Sequence, residues 1–474
     1  NAGRCKPPLP EQEVRKIVDS VSQYAVSETL YNRTDLGNAE RFAEKFGADA
    51  RFCSEYKGWF VWTGRLWEED VEASIYLKAK NVVRGMYEEA FTLEDHELRD
   101  KLALWAIKSE NRTRLTSMVE LARSMLPIRA ERLDTDPMLL NVENGTIDLA
   151  TGTLRDHVPS EYHSKIAHVE WDEDAKSPRW EAFLLEIMDG RRNLVDYLQK
   201  VIGYALTGDI REQILVLFHG SGSNGKSTLL DVIYALLGDY ALQMAPETMM
   251  ASTRREAGRA TPELAMLAGV RFVGTVETQE NQKLNESLAK QLSGGDPITA
   301  RPLFGRYFQY LPQFKVVLST NHLPTIKGDD HAIWRRIRKI PFDVRIEDRD
   351  QDKALSSKLK AELPGILRWA VAGCLQWQRH GLETPETVLR ATVEYRSQMD
   401  VISSFFEECT NAGDSLQVTK AALFKRYGRW CAASGEEAIS QRALSLKVQA
   451  RGIDDKKSHG LHYWIGIGLQ AEES

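Results

Sequence analysis

ILVLFHGSGSNGKSTLL, residues 214 to 230, joins an apolar run to a glycine-rich turn and then to a helical pattern. The unbroken run from Ile214 to Phe218 is what a strand buried on both faces requires. Gly220, Gly225, Lys226 and Ser227 fill every fixed position of G-x-x-x-x-G-K-[ST], with Ser221, Gly222, Ser223 and Asn224 between them and Thr228 behind. The spacing has a chemical reason. Glycines let successive backbone N–H groups turn inward on a triphosphate, and the N-terminus of the following helix adds the positive end of its dipole. Lys226 would reach the β- and γ-phosphates, and the Ser227 hydroxyl would sit on Mg²⁺. ATP and Mg²⁺ are therefore the ligands to expect, bound by Gly220 through Thr228; a plain glycine-rich turn between strand and helix is the alternative.

Working outward, the 474 residues are enough for two to four domains. With 42% hydrophobic and 27% charged residues the chain is an ordinary globular one. It has no apolar stretch of the ~20 residues that span a bilayer and opens on no signal peptide, so no membrane partner is expected. Five cysteines are scattered without a C-x-x-C pair, which disfavours zinc or disulfides and fits a reducing compartment, the cytoplasm. The net charge of -6 argues against a protein coated in nucleic acid, but not against one gripping a strand through a few local cations.

Before the central stretch, Val14, Ile17, Val18 and Val21 recur at helical spacing, and a helix is expected over about Gly37 to Phe46. Aromatics between Phe52 and Trp67, interrupted by Lys57-Gly58 and Thr63-Gly64, predict a small β-meander. They read as the core of that sheet or as a base-stacking platform. Helical periodicity follows from Val71 to Met125, broken near Thr92 and Asn111; Asn144-Gly145 and Thr151-Gly152 then signal hairpins. After the central stretch, strands are expected over Val270 to Val276, Lys315 to Ser319 and Arg338 to Phe342, with a hairpin pairing Ile298 to Arg301 with Tyr307 to Leu311. Strands alternating with helices predict a mostly parallel sheet whose ligand site lies at the strands' C-terminal ends. Residues 346 to 410 return to helix. The end of the chain, helices followed by a basic hairpin, looks like a winged helix.

Chemistry-bearing residues sit at the strand ends. Glu277 closes RFVGTVE, and Glu280 follows; one would help hold Mg²⁺ and one could orient or deprotonate the attacking water. Asn321, after the third strand, can contact the γ-phosphate or position water. Arg335 and Arg336, in WRRIRK, fit an arginine finger reaching a neighbouring subunit's nucleotide, because guanidinium bridges phosphoryl oxygens in a fixed fork.

GSGSNGKST, VETQENQKLNESLAKQLSGGDPITAR, LSTNHLP and GDDHAIWRRIRKIPF together resemble superfamily 3 helicases, in particular the phage, plasmid and poxvirus primase-helicase family. The resemblance implies an α/β fold: an AAA+ type P-loop NTPase core over 178–345, a mainly helical N-terminal domain over 35–177, a helical connector over 346–410 and a winged-helix domain over 411–474. Residues 1–34 are expected to be a linker or helical lead, of which Asn1 to Ser20, with CKPPLP, resembles the linker that follows a primase domain, which would lie upstream. The family implies a hexameric ring that hydrolyses ATP and travels 3′-to-5′ on DNA, one strand threading the pore and duplex DNA possible at the winged helix. By the same resemblance Glu277 is the acidic motif, Asn321 the sensor, Arg335 or Arg336 the finger, and Phe304 and Arg306 the pore-hairpin contacts to the strand. The family's second motif often has adjacent acids, whereas Thr278 and Gln279 separate Glu277 from Glu280 here, which leaves the base open between them. The rival expectation is an initiator or scaffold that binds ATP to assemble on DNA without unwinding it. A P-loop kinase is a weaker third.

Overall fold

A computed structural model describes residues 31–251, 262–276, 282–301, 307–326, 331–399, 401–435 and 438–470. The apolar repeat at Val14 to Val21 lies outside them, as do Glu277, Glu280, Phe304 and Arg306. The chain divides into two compact units, one ending at Arg132 and one beginning at Leu133.

In the first unit, helix α1 (Asp35–Phe46) starts where the Thr34 side chain accepts the Gly37 N–H, and β1 (Ala50–Cys53), β2 (Gly58–Trp62) and β3 (Trp67–Glu69) form the meander. Helices α2 (Ser74–Thr92), α3 (His96–Ser109) and α4 (Arg112–Ala122) follow. Their breaks are capping events: Asp95 accepts the Glu97 and Leu98 N–H groups, and Asn111 accepts that of Arg114. Strand β4 (Pro127–Ile128) joins β1 in parallel, giving the sheet order β3-β2-β1-β4. Trp59 and Trp67 are buried, and Trp59 meets Phe42 and Phe52 edge-on at 5.9 and 5.5 Å. These aromatics are a core, not a platform presented to bases.

The second unit opens with an antiparallel sheet of β5 (Leu139–Val142), β6 (Gly145–Asp148) and β7 (Thr153–Arg155). Helices α5 (Pro178–Ile187) and α6 (Arg192–Leu206) lead into β8 (Leu215–His219), after which comes α7 (Lys226–Leu237), ended by Gly238 at φ 52°. Then come β9 (Ala241–Gln243), β10 (Phe272–Val276), helix α8 (Glu286–Ser293), β11 (Ile298–Ala300), β12 (Phe308–Tyr310), β13 (Lys315–Thr320), helix α9 (His331–Trp334) and β14 (Ile337–Pro341). The main sheet runs β14-β8-β13-β10-β9, and every neighbouring pair is parallel. Val216 and Phe218 face one core and Leu215 and Leu217 face another, which is why β8 is apolar at every position. Strands β11 and β12 pair antiparallel through Ile298 and Tyr310, Thr299 and Gln309, and Ala300 and Phe308, as a hairpin requires.

Helices α10 (Leu355–Lys360), α11 (Leu363–His380) and α12 (Glu386–Met399) follow the sheet. Gly203 on α6 and Gly373 on α11 let these helices cross with backbones in contact: a Cβ on Gly203 would strike the backbone of Gly373 and Cys374. Gly203→Val is expected to destabilise the protein by about 3 kcal/mol, read as a lowered midpoint of urea unfolding, because backbone cannot yield as a side chain can. An unchanged midpoint would show that the two helices separate freely. Below the sheet, Arg271 donates to the carbonyls of Leu206 (2.6 Å) and Leu139 (2.5 Å), and Lys315 donates to Thr207 and Gln313 (3.1 Å). Burial lowers the pKa of both groups, and the carbonyls supply the acceptors that make such burial tolerable.

The chain ends in α13 (Val401–Cys409), β15 (Thr410–Thr419), α14 (Lys420–Ser434), α15 (Gln441–Ala450), β16 (Asp455–Ser458) and β17 (Leu461–Leu469), with sheet order β15-β17-β16. Phe405, Tyr427, Val448 and Trp464 form its core. The two helices match the sequence expectation; the hairpin, expected around Leu461 to Ile467, starts earlier, at Asp455, and β15 is an addition whose ladder shifts register between Ala412 and Gln417, within a turn-like composition. Among the described residues no helix is long and apolar enough to cross a membrane.

Candidate functional site

The site is built where β8 stops. After His219 the chain turns through 220–225 and enters α7 at Lys226. Two glycines are demanded by geometry. A Cβ on Gly220 would strike the Phe342 carbonyl, and Gly225, at φ 84°, lies against Ile187 of α5. Ser223 holds φ 47°, an uncommon conformation for a residue with a Cβ, and its carbonyl accepts the Ile346 N–H at 2.7 Å. The Asn224 amide donates to the Phe342 carbonyl at 3.1 Å. The segment leaving β14 therefore holds the loop in shape from outside.

Lys226 is the buried cation of this turn. Its Nζ donates to the Gly220 carbonyl (2.7 Å), Asn224 Oδ1 (2.9 Å) and, across the cleft floor, Asn321 Oδ1 (3.0 Å). Asn321 follows β13, the central neighbour of β8, so parallel pairing brings both residues to the same sheet end. His219 is held neutral: burial, then Lys339 and Lys226, push its pKa down to about 4. The positive charge at the turn is thus that of the lysine.

Around this turn lies a cleft of about 390 Å³. Residues 222–228 form one side and Ser319, Thr320 and Asn321 the floor, while Arg179, Phe183 and Glu186 of α5 and parts of 346–356 complete the walls. The last wall is anchored. Burial acts to raise the pKa of Asp231 on α7, but Ser356 and Lys360 (2.8 Å) of α10 more than offset it and hold the carboxyl below its ordinary value. The α5 residues and the 346–356 wall escaped the sequence reading, since neither carries a motif and both reach the cleft only through tertiary packing.

Gly222 through Thr228 and Asn321 line the cleft, and Gly220 joins them through its carbonyl on Lys226. Arg335 and Arg336 do not. They lie at the opposite end of β14, where the Arg336 carbonyl accepts the Leu215 N–H at 2.8 Å. Their surroundings differ: Arg335 is exposed and donates to Gln213 Oε1 at 3.0 Å, whereas Arg336 is 8% exposed and donates to the Ala332 carbonyl at 2.6 Å.

Residues 39–189 match a family model described as D5 N terminal like, and residues 218–336 match a family of unknown function. A protein of Acanthamoeba polyphaga mimivirus, provisionally named helicase L207/L206, is 31% identical over 293 residues, 58% of this chain and 30% of its own length. The provisionally named helicase 022R of Frog virus 3 is 28% identical over 283 residues, 55% of this chain and 29% of that one. The provisionally named primase C962R of African swine fever virus (isolate Tick/Malawi/Lil 20-1/1983) is 26% identical over 224 residues, 45% and 23% of the two chains. These matches support a phage or viral primase-helicase family for the chain. The chain spans less than a third of the length of each of these three relatives. Its mixed α/β fold is similar to the A form apo structure of the NrS-1 C-terminal region, with a TM-score of 0.50 at 10% identity, covering 88% of this chain and 96% of that one.

Proposed function

We propose that this chain is the ATP-hydrolysing helicase part of a primase-helicase, with an AAA+ type core that assembles head to tail, as a hexamer by family resemblance, and moves 3′-to-5′ on DNA. One observation carries the reading: a buried lysine, at the first turn of a helix behind a glycine-rich loop, meets Asn321 at 3.0 Å on the floor of a polar-lined cleft. A triphosphate would take the place of the acceptors that now hold Lys226 and would lie along the N–H groups of α7. Asn321, already on that lysine, would sense the γ-phosphate.

Ser227 and Glu277 would hold the Mg²⁺ that accompanies ATP. The exposed Ser227 hydroxyl in the first turn of α7, with Ser319 and Thr320 nearby in the lining, is the oxygen-donor setting a hard cation needs. The ion supplies charge neutralisation on the β- and γ-phosphates. Glu277 or Glu280 would orient or deprotonate the attacking water. The walls from α5 and 346–356 would shield the nucleotide from solvent.

Arg335 is the finger of this reading. It is exposed while Arg336 is buried, and it sits a strand length, roughly 13 Å, from its own cleft, so it can serve only a neighbour's nucleotide. The β11–β12 hairpin would carry Phe304 and Arg306 to the pore, one apolar and one cationic contact to a single strand. The C-terminal helices and the β16–β17 hairpin, with Arg442, Lys456, Lys457 and His459 exposed, would act as a winged helix on duplex DNA.

Purified protein should hydrolyse ATP faster when single-stranded DNA is added and should separate a forked duplex. Hydrolysis without strand separation would replace the motor by an assembly factor; absence of nucleotide binding would remove both.

A further inference from the structure

Two surface features of the second unit lie at opposite ends of β14. Beside its start, a groove of about 340 Å³ runs between β14 and α12. Arg335, Arg338 and Arg396 surround Leu389 and Val393, which are 44% and 66% exposed. The edge of β14 is already covered there, since Thr392 Oγ1 accepts the Lys339 N–H at 3.1 Å. The groove is therefore no open strand edge awaiting another strand. It is an apolar strip walled by guanidinium groups.

Beyond the end of β14, Glu347 to Asp352 form a strap with four carboxylates against one guanidinium, that of Arg349. Asp350, Gln351 and Asp352 lie on the rim of the nucleotide cleft. The carboxylates are engaged only locally: Arg349 meets Glu347 at 3.0 Å and Asp350 at 3.6 Å, and Lys358 meets Asp352 at 2.7 Å. Surface pairs of this kind are cheap to rearrange. At its root the strap is tied to the glycine-rich loop through the Ile346 N–H on the Ser223 carbonyl at 2.7 Å.

We propose that the strap of one copy seats in the groove of the next, its carboxylates facing Arg338 and Arg396 and its backbone covering Leu389 and Val393. The seat delivers Arg335 to the rim of the neighbouring cleft and lets the loop's occupancy reach the interface through Ile346. It rests on the in-trans reading of Arg335 given above. The strap cannot reach its own groove from the far end of β14, so the contact is made between copies; repeated head to tail, it closes as a ring or runs on as a filament. A nucleic-acid backbone would satisfy the arginines but leave Leu389 and Val393 uncovered, which favours a second copy of this chain.

The test is charge reversal, read by light-scattering mass against concentration in a non-hydrolysable ATP analogue and oligothymidine. Arg396→Glu and Asp348→Arg should each raise the concentration needed for assembly about tenfold or more, because like charges meet across the contact. The double variant, and an equal mixture of the two single variants, should assemble again near the wild-type concentration. A wild-type thermal melting curve shows that each variant is folded. Wild-type assembly of Arg396→Glu overturns the seat and leaves the ring standing, as does loss of assembly without rescue. Wild-type assembly with lost oligothymidine binding assigns the groove to nucleic acid instead. A wild-type protein that stays monomeric overturns seat and ring together.

Discussion

Lys226→Ala is expected to lower ATP hydrolysis by about a thousandfold, since removing one preorganised donor from a desolvated site costs on the order of 10²–10³ in rate and the ammonium carries full charge. The lysine is the cation joined both to the loop and to Asn321, so no neighbour substitutes for it. Strand separation should disappear with hydrolysis. The substitution also leaves the Gly220 carbonyl and the Asn224 and Asn321 amides short of a donor, at a cost of about 1–3 kcal/mol. A melting curve must therefore accompany the ATPase measurement. A folded Lys226→Ala protein that still separates a fork would remove the motor assignment.

The second large effect is expected at Arg335. An arginine acting in trans on a transferring phosphoryl group is worth roughly 10³–10⁵ in turnover. Arg335→Ala should lose about that much kcat while binding ATP as before, because the residue is exposed and a strand length from its own cleft. Arg336→Ala should behave differently. Arg336 is buried and bonded to the Ala332 carbonyl, so its removal should act on stability, by about 1–3 kcal/mol. Loss of ATP binding by Arg335→Ala, measured with a fluorescent analogue, would take the finger role away from it.

Why one arginine of an adjacent pair is exposed and the other buried is a fact of tertiary packing. Both precede the strand expected from Arg338 to Phe342 and lie in the turn between α9 and β14, where no periodic pattern tells which side chain meets the core. Other parts were legible because the residues alone impose them. The apolar run of β8 needs a core on both faces, the spacing of Gly220, Gly225 and Lys226 needs a strand before and a helix after, and Gly238 needs the helix to end. Asn321 was legible too, since parallel order puts the end of β13 beside the end of β8.

What escaped lacks a local signal. Strand β9 is three residues long on a sheet edge, and β15 runs through Asn411, Gly413 and Asp414, residues that ordinarily mark turns. Arg271 and Lys315 lie in expected strands, but no local signal says that carbonyls from Leu139, Leu206 and Thr207 enclose their charged ends. The α5 wall of the cleft comes from helix residues that only packing brings to the loop.

The in-trans site itself is tested most directly by mixing two inactive proteins. Lys226→Ala has a dead cleft and an intact Arg335, and Arg335→Ala has the reverse. At equal amounts, random head-to-tail assembly joins an intact cleft to an intact finger at roughly a quarter of interfaces. ATP hydrolysis should therefore return to about that fraction of the wild-type rate. A mixture no more active than either component would contradict a nucleotide site completed by the neighbouring subunit.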